Sequence, residues 1–226
     1  MPTMGTLYLV RHGQASFGAD DYDQLSELGQ RQAERLGRYW AERGMRFDAV
    51  LMGTLKRHAQ TWEGIRQGAG FTNEPLNWPG LNEYDGEAVI KAIHPDVVDK
   101  PTTPEGYKRH FHMLRDGLSQ WMAGTVSPKG MPSYEGFVRG VTSALDHARA
   151  HHHNQNVLIV SSGGPISTAV GHVLGLSPER TIDLNMRIRN SAITEFQFNP
   201  KRHSLLTFNT LPHLDLPDMA KWVTFA

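Results

Sequence analysis

Three short apolar runs, residues 6–10, 47–52 and 157–160, constrain this chain more than any other feature. Each is too short for a core helix and is rich in aliphatic or β-branched side chains. Each then breaks into polar and glycine residues. A helix-period segment follows every break. Residues 26–43 carry Leu28, Ala33, Leu36 and Trp40 as an apolar stripe, with Leu25 and Ser26 placed as staple and N-cap. Thr54 is placed to cap a helix through Arg57 and Trp62 to about residue 67, and Pro165 opens a helix over 165–174. Strands that alternate with helices predict an α/β fold in three layers, a mostly parallel sheet with helices on both faces.

The rest of the chain fits that frame. Residues 134–150 form a strong helical pattern, with Phe137, Val141, Leu145 and Ala148 on one face. Pro104 opens another over 104–122. Residues 192–198 and 204–209 alternate and read as strands near a sheet edge. Residues 70–103 are rich in Pro, Asn and Gly and read mostly as loop. The stretch 75–132 is expected to be a cap inserted into a single domain spanning 1–226.

Composition narrows the function. The chain has 226 residues, enough to bury a real core. Its 23 basic and 23 acidic residues balance, which argues against a nucleic-acid or anionic-membrane partner. There is no cysteine, so disulfide and thiolate chemistry are excluded. The apolar run at residues 7–10 is too short for a signal peptide or a membrane span, so a soluble, cytoplasmic protein is expected. His151, His152 and His153 read as a solvated connection, and Trp62, Trp78 and Trp121 as packing residues. The apolar residues of 211–226 suit either packing back on the chain or a homodimer contact.

In α/β sheets, ligands bind at the carboxyl ends of the strands. Here those ends carry Arg11, His12, Gly13 and Gln14; then Gly53 and Thr54, with Arg57 one turn on; then Ser161, Ser162, Gly163 and Gly164. Taken singly, each is ordinary: a structural histidine, a solvated arginine, a strand-to-helix turn. Together they offer two arginine forks, an imidazole, hydroxyls and helix N-termini. That set suits a tetrahedral dianion, the form of charge that a small phosphorylated molecule carries.

The ordered motifs resemble the histidine phosphatase superfamily, the phosphoglycerate mutase-like fold. Leu9-Val10-Arg11-His12-Gly13-Gln14 looks like its signature. Leu25-Ser26 with Gly29 and Gln32-Ala33 is similar to its first helix, and Leu55-Lys56-Arg57-His58-Ala59-Gln60-Thr61 to the element carrying the second arginine. Leu81-Asn82-Glu83-Tyr84-Asp85-Gly86 resembles the segment with the proton-donating glutamate. Ser133 to Arg139, with Glu135 in place, and Asn190-Ser191-Ala192-Ile193-Thr194 resemble later elements.

The resemblance implies a phosphohistidine on His12, which must be neutral to attack. It implies that Glu83 protonates the leaving oxygen and then activates water. It also implies phosphate binding by Arg11 and Arg57, with no metal and no cofactor.

One position departs from the pattern. Family members usually carry a second histidine after the third strand; this chain has Ser162 there, expected with Gly163 to bind the phosphate, and Gly163 and Gly164 are expected to offer free backbone donors. A hydroxyl donates one hydrogen bond but carries no charge. Losing a preorganised charged donor costs about 2–4 kcal/mol, roughly 30- to 1000-fold in rate. Reduced activity is therefore expected. No histidine obviously substitutes: His172 lies far along its helix, His58 is expected to point elsewhere, and His94 belongs to the insert.

Three functions follow: a phosphatase acting on a small phosphomonoester; a catalytically impaired module that binds or senses a phosphorylated ligand; and a phosphoglycerate mutase-type phosphotransferase. The mutase is disfavoured by the lack of long basic clamping segments and by Gly18, where mutases usually place asparagine. A serine hydrolase is disfavoured because no G-x-S-x-G elbow surrounds Ser161 or Ser162.

Overall fold

The computed structural model describes residues 4–16, 23–96, 101 and 103–225. Gly18 lies outside them. One sheet holds β1 (Gly5–Arg11), β2 (Ala49–Met52), β3 (Leu76–Asn77), β4 (Asn156–Ser161), β5 (Ile193–Asn199) and β6 (Arg202–Thr210), in the order β3-β2-β4-β1-β5-β6. The first four in that order run parallel, while β5 and β6 add an antiparallel edge. The helices are α1 (Glu27–Glu42), α2 (Lys56–Ala69), α3 (Gly86–Lys91), α4 (Pro104–Met122), α5 (Tyr134–His151), α6 (Gly163–Leu174) and α7 (Pro178–Asn185).

Alternation along the strands explains the three layers. In β4, Val157 and Ile159 join Phe137, Val141, Ile166 and Ala169 on the face covered by α5 and α6. Leu158 and Val160 join Leu36, Trp40, Trp62 and Ile65 on the face covered by α1 and α2. Both faces of β4 are buried, as its unbroken apolar sequence requires. The α/β architecture expected from the sequence is the one observed.

Local differences have physical reasons. Residues 70–103 are mostly loop over their described length, as expected, but they also hold β3, a short 3₁₀ turn at Pro79–Leu81 and α3. A two-residue strand has no periodicity to show, and β3 exists because Leu76 and Asn77 pair with Leu51 and Met52. Helix α7 is set by the Ser177 cap and Pro178 rather than by a long apolar stripe. Ser26 does cap α1, accepting from Gly29 N at 3.1 Å. Thr54 does not cap α2. Its hydroxyl accepts from Asn82 at 2.7 Å, and Asp23 receives the amides of Lys56 and Arg57 at 2.9 and 3.4 Å.

No helix among the described residues is long and apolar enough to cross a membrane. The described tail packs back on its own chain. Gln32 donates to the Trp222 carbonyl at 2.6 Å and the Thr224 hydroxyl at 3.0 Å, and Asn190 N donates to the Thr224 carbonyl at 2.9 Å.

Candidate active site

Because β1, β2 and β4 are parallel, their carboxyl ends lie on one edge of the sheet and bring the three loops together. Arg11 pairs with Ser161, so His12 and Ser162 are the next residues of adjacent strands. The antiparallel β5 begins at the same edge, and His12 is braced from there: its carbonyl accepts from Ser191 N at 3.2 Å and from Asn190 Nδ2 at 3.4 Å.

His12 is buried. Its Nδ1 lies 2.7 Å from the carbonyl oxygen of Gly13, an acceptor only, so Nδ1 carries the ring proton and Nε2 keeps its lone pair. Burial, then the charges of Arg11 and Arg57, then His58, hold its pKa well below 6.5. The imidazole is therefore neutral. Gly13 has to be glycine, because a Cβ there would sit 2.3 Å from the Gly29 carbonyl oxygen of α1. Its amide donates to Thr61 Oγ1 at 3.1 Å, tying the loop to α2.

The two arginines are held from behind. Arg11 Nη1 donates to the Ile188 carbonyl at 2.5 Å and to the Phe225 carbonyl of the tail. Arg57 Nη1 pairs with Asp23 at 2.8 Å. Both are more than nine-tenths buried, so their charges act through little water.

Glu83 is held by the start of α6. The amide of Gly164, in the first turn of α6, donates to its two carboxylate oxygens at 3.1 and 3.2 Å. Burial of the carboxyl raises its pKa, while this amide, Arg57 and Arg11 pull the other way. The Gly164 donor expected to be free for a ligand is thus taken by Glu83. Gly163 has no room for a side chain: a Cβ would lie 2.8 Å from Asn185 Oδ1 and 2.9 Å from Ile188 Cγ2.

The structure corrects the expectation for His58. It does not point elsewhere: it is fully buried, and its Nε2 lies 2.7 Å from Ser162 Oγ. Its ring centroid is 5.9 Å from that of His12. A signal was present in the sequence, since His58, Trp62 and Ile65 share one buried helical stripe. His172 is exposed at the end of α6, and His94 lines an outer groove with Asp116, Ser119 and Gln120. Among the described residues, no group of histidines and carboxylates is arranged to hold a metal ion.

The set brings a neutral imidazole with a free lone pair beside two arginines and a carboxyl disposed to hold a proton. Comparisons with known proteins give the family. The model of the histidine phosphatase superfamily (branch 1) matches residues 7–211. A Hydrogenobacter thermophilus protein named "Putative phosphoserine phosphatase 2" is 27% identical over 225 residues, covering 93% of this chain and 98% of its own. A broad-specificity phosphatase of Saccharomyces cerevisiae is 30% identical over 130 residues, covering 53% and 56%.

Among solved structures, a phosphoserine phosphatase mutant of Entamoeba histolytica with bound phosphoserine superposes with a TM-score of 0.66 at 20% identity. It covers 93% of this chain and 100% of its own. A phosphoglycerate mutase of Bacillus anthracis gives 0.65 at 17%, covering 98% and 97%. The chain belongs to the histidine phosphatase superfamily, and its function is of that family's phosphatase type.

Proposed function

We propose that this protein hydrolyses a small phosphomonoester through a phosphohistidine on His12. The observation that carries the reading is the state of His12: neutral under the charges of Arg11 and Arg57, with Nδ1 committed to the Gly13 carbonyl and Nε2 left unprotonated. Nε2 attacks phosphorus as the bond to the leaving oxygen breaks. Glu83, whose pKa burial raises, gives a proton to that oxygen. Water then attacks the phosphohistidine and loses a proton to Glu83, the P–N bond breaks, and phosphate leaves. Arg11 and Arg57 balance the charge on the equatorial oxygens throughout.

The relatives' names, a phosphoserine phosphatase and a broad-specificity phosphatase, support a small-molecule ester over a macromolecule. The test is hydrolysis of an aryl phosphate by the native protein and His12→Ala, with acid-labile, base-stable phosphate trapped on the chain. Turnover and trapped label that vanish in His12→Ala are expected. Turnover that survives His12→Ala would refute a phosphohistidine on His12.

A further inference from the structure

His58 is an expensive residue in its position. It lies fully buried in the first turn of α2, beside Arg57, where an imidazole cannot carry charge. Burial first and then Arg57 push its pKa to about 3, so it is neutral at any physiological pH. An aromatic ring would fill the same space without desolvating two nitrogens. The neighbours are nonetheless shaped around this ring. A Cβ on Gly53, at the end of β2, would sit 2.2 Å from His58 Nδ1. Only glycine at 53 admits the imidazole, and only a small residue at 162 leaves Nε2 room to reach a hydroxyl at 2.7 Å.

Nδ1 is buried beside the backbone of Gly53, which favours a protonated ring, and Nε2 lies 2.7 Å from Ser162 Oγ. With the ring proton on Nε2, this bond runs from His58 to the serine oxygen. That leaves the Ser162 hydroxyl hydrogen to point away from His58.

Ser162 is the N-cap residue of α6 and the neighbour of His12 across the β1–β4 ladder. We propose that His58 and Ser162 act as one unit: His58 is a positioning residue that turns the Ser162 hydroxyl toward the phosphoryl group on His12. The imidazole that the resemblance implies after β4 arrives instead from α2, through a serine. This rests on the phosphatase reading, which it deepens.

The experiment compares native protein, His58→Phe, His58→Ala, Ser162→His and the double variant His58→Ala with Ser162→His. The readouts are kcat and KM for an aryl phosphate, affinity for orthovanadate and for phosphate, and a thermal melt. A fifteen-nitrogen long-range correlation spectrum reports the His58 tautomer. His58→Phe is expected to melt as a folded protein and to lose about 10- to 100-fold in kcat with KM within about threefold. Orthovanadate binding should weaken by a similar factor and phosphate binding less, the mark of a donor used in the transition state.

Ser162→His alone is expected to fail, since two imidazoles cannot share that volume. The double variant should recover at least about tenfold in kcat over His58→Ala, because the ring is restored from the other side. The proposal is overturned by a folded His58→Phe with native kcat and vanadate affinity, by a double variant no better than His58→Ala, or by a ring proton on Nδ1. If the native protein neither turns over nor binds vanadate, the phosphatase reading falls and this inference with it. If His12→Ala is dead while His58→Phe is native-like, only this inference falls.

Discussion

Two buried serine–histidine pairs flank His12, one at the end of each neighbouring strand. Beyond β4, His58 Nε2 meets Ser162 Oγ at 2.7 Å; before β5, His213 Nε2 meets Ser191 Oγ at 2.9 Å. Both histidines are fully buried, both are pushed to about 3 by desolvation, and both leave Nδ1 without a hydrogen bond. Their settings differ. Ser162 opens α6 in extended backbone, with His58 near the His12 ring. Ser191 sits in the left-handed region at φ 57° and sends its amide to the His12 carbonyl, while His213 packs under Tyr39. One pair is placed beside the reacting imidazole and the other behind the backbone that carries it. The same side-chain chemistry thus separates into a reactive role and a scaffolding role by position alone.

The largest expected effect tests what the pairs share. Below the ordinary histidine value of 6.5, the unfolded chain protonates His12, His58 and His213 and the folded protein does not. Stability therefore falls as pH drops from 6.5 toward 3, by about 1.4 kcal/mol per pH unit for each imidazole. Glu83 opposes this in part, because its raised carboxyl pKa favours the folded state at acid pH. Urea unfolding of the native protein, His58→Phe and His213→Phe between pH 7 and pH 4 measures it. Each variant should flatten the acid slope by the same amount, and unequal flattening would break the equivalence.

The next effect tests the difference. Ser162→Ala should cut kcat by about 10²-fold, by analogy with loss of one preorganised donor. Ser191→Gly, which removes the hydroxyl and relieves the positive φ, should keep kcat within about threefold. Steady-state hydrolysis of an aryl phosphate decides this, and comparable losses at the two serines would erase the distinction. His213→Ala should then lower stability by about 2–4 kcal/mol, since it opens a cavity and strands a buried hydroxyl. A melting temperature equal to the native value would show that the second pair supports nothing.

The smallest effect lies further out. Asp23→Asn keeps the hydrogen-bonding shape but removes the charge beside Arg57, and should raise KM by about two- to fivefold, the size of a partly exposed ion pair. A fall in kcat with unchanged KM would place Asp23 in a different role.

Much of this was legible in the sequence, and the particular residues show why. The apolar runs 6–10, 47–52 and 157–160 could only be strands buried on both faces, and helices between them force parallel pairing. Parallel pairing sends Arg11, His12, Arg57 and Ser162 to one edge whatever the details of packing. The two-residue β3, the short α7 and the Asp23 cap were not legible, because each exists only through a partner distant in sequence.

The sequence alone determined the fold class, the family and the loop on which each polar group sits, because strand and helix periods and local motifs are short-range properties. Tertiary structure alone decided that His58 meets Ser162 across 104 residues, that the tail carbonyl of Phe225 braces Arg11, and that Glu83 takes the Gly164 amide. Those contacts depend on where a buried side chain can find a polar partner. In a close-packed interior, that is set by the shapes of elements far apart in the chain.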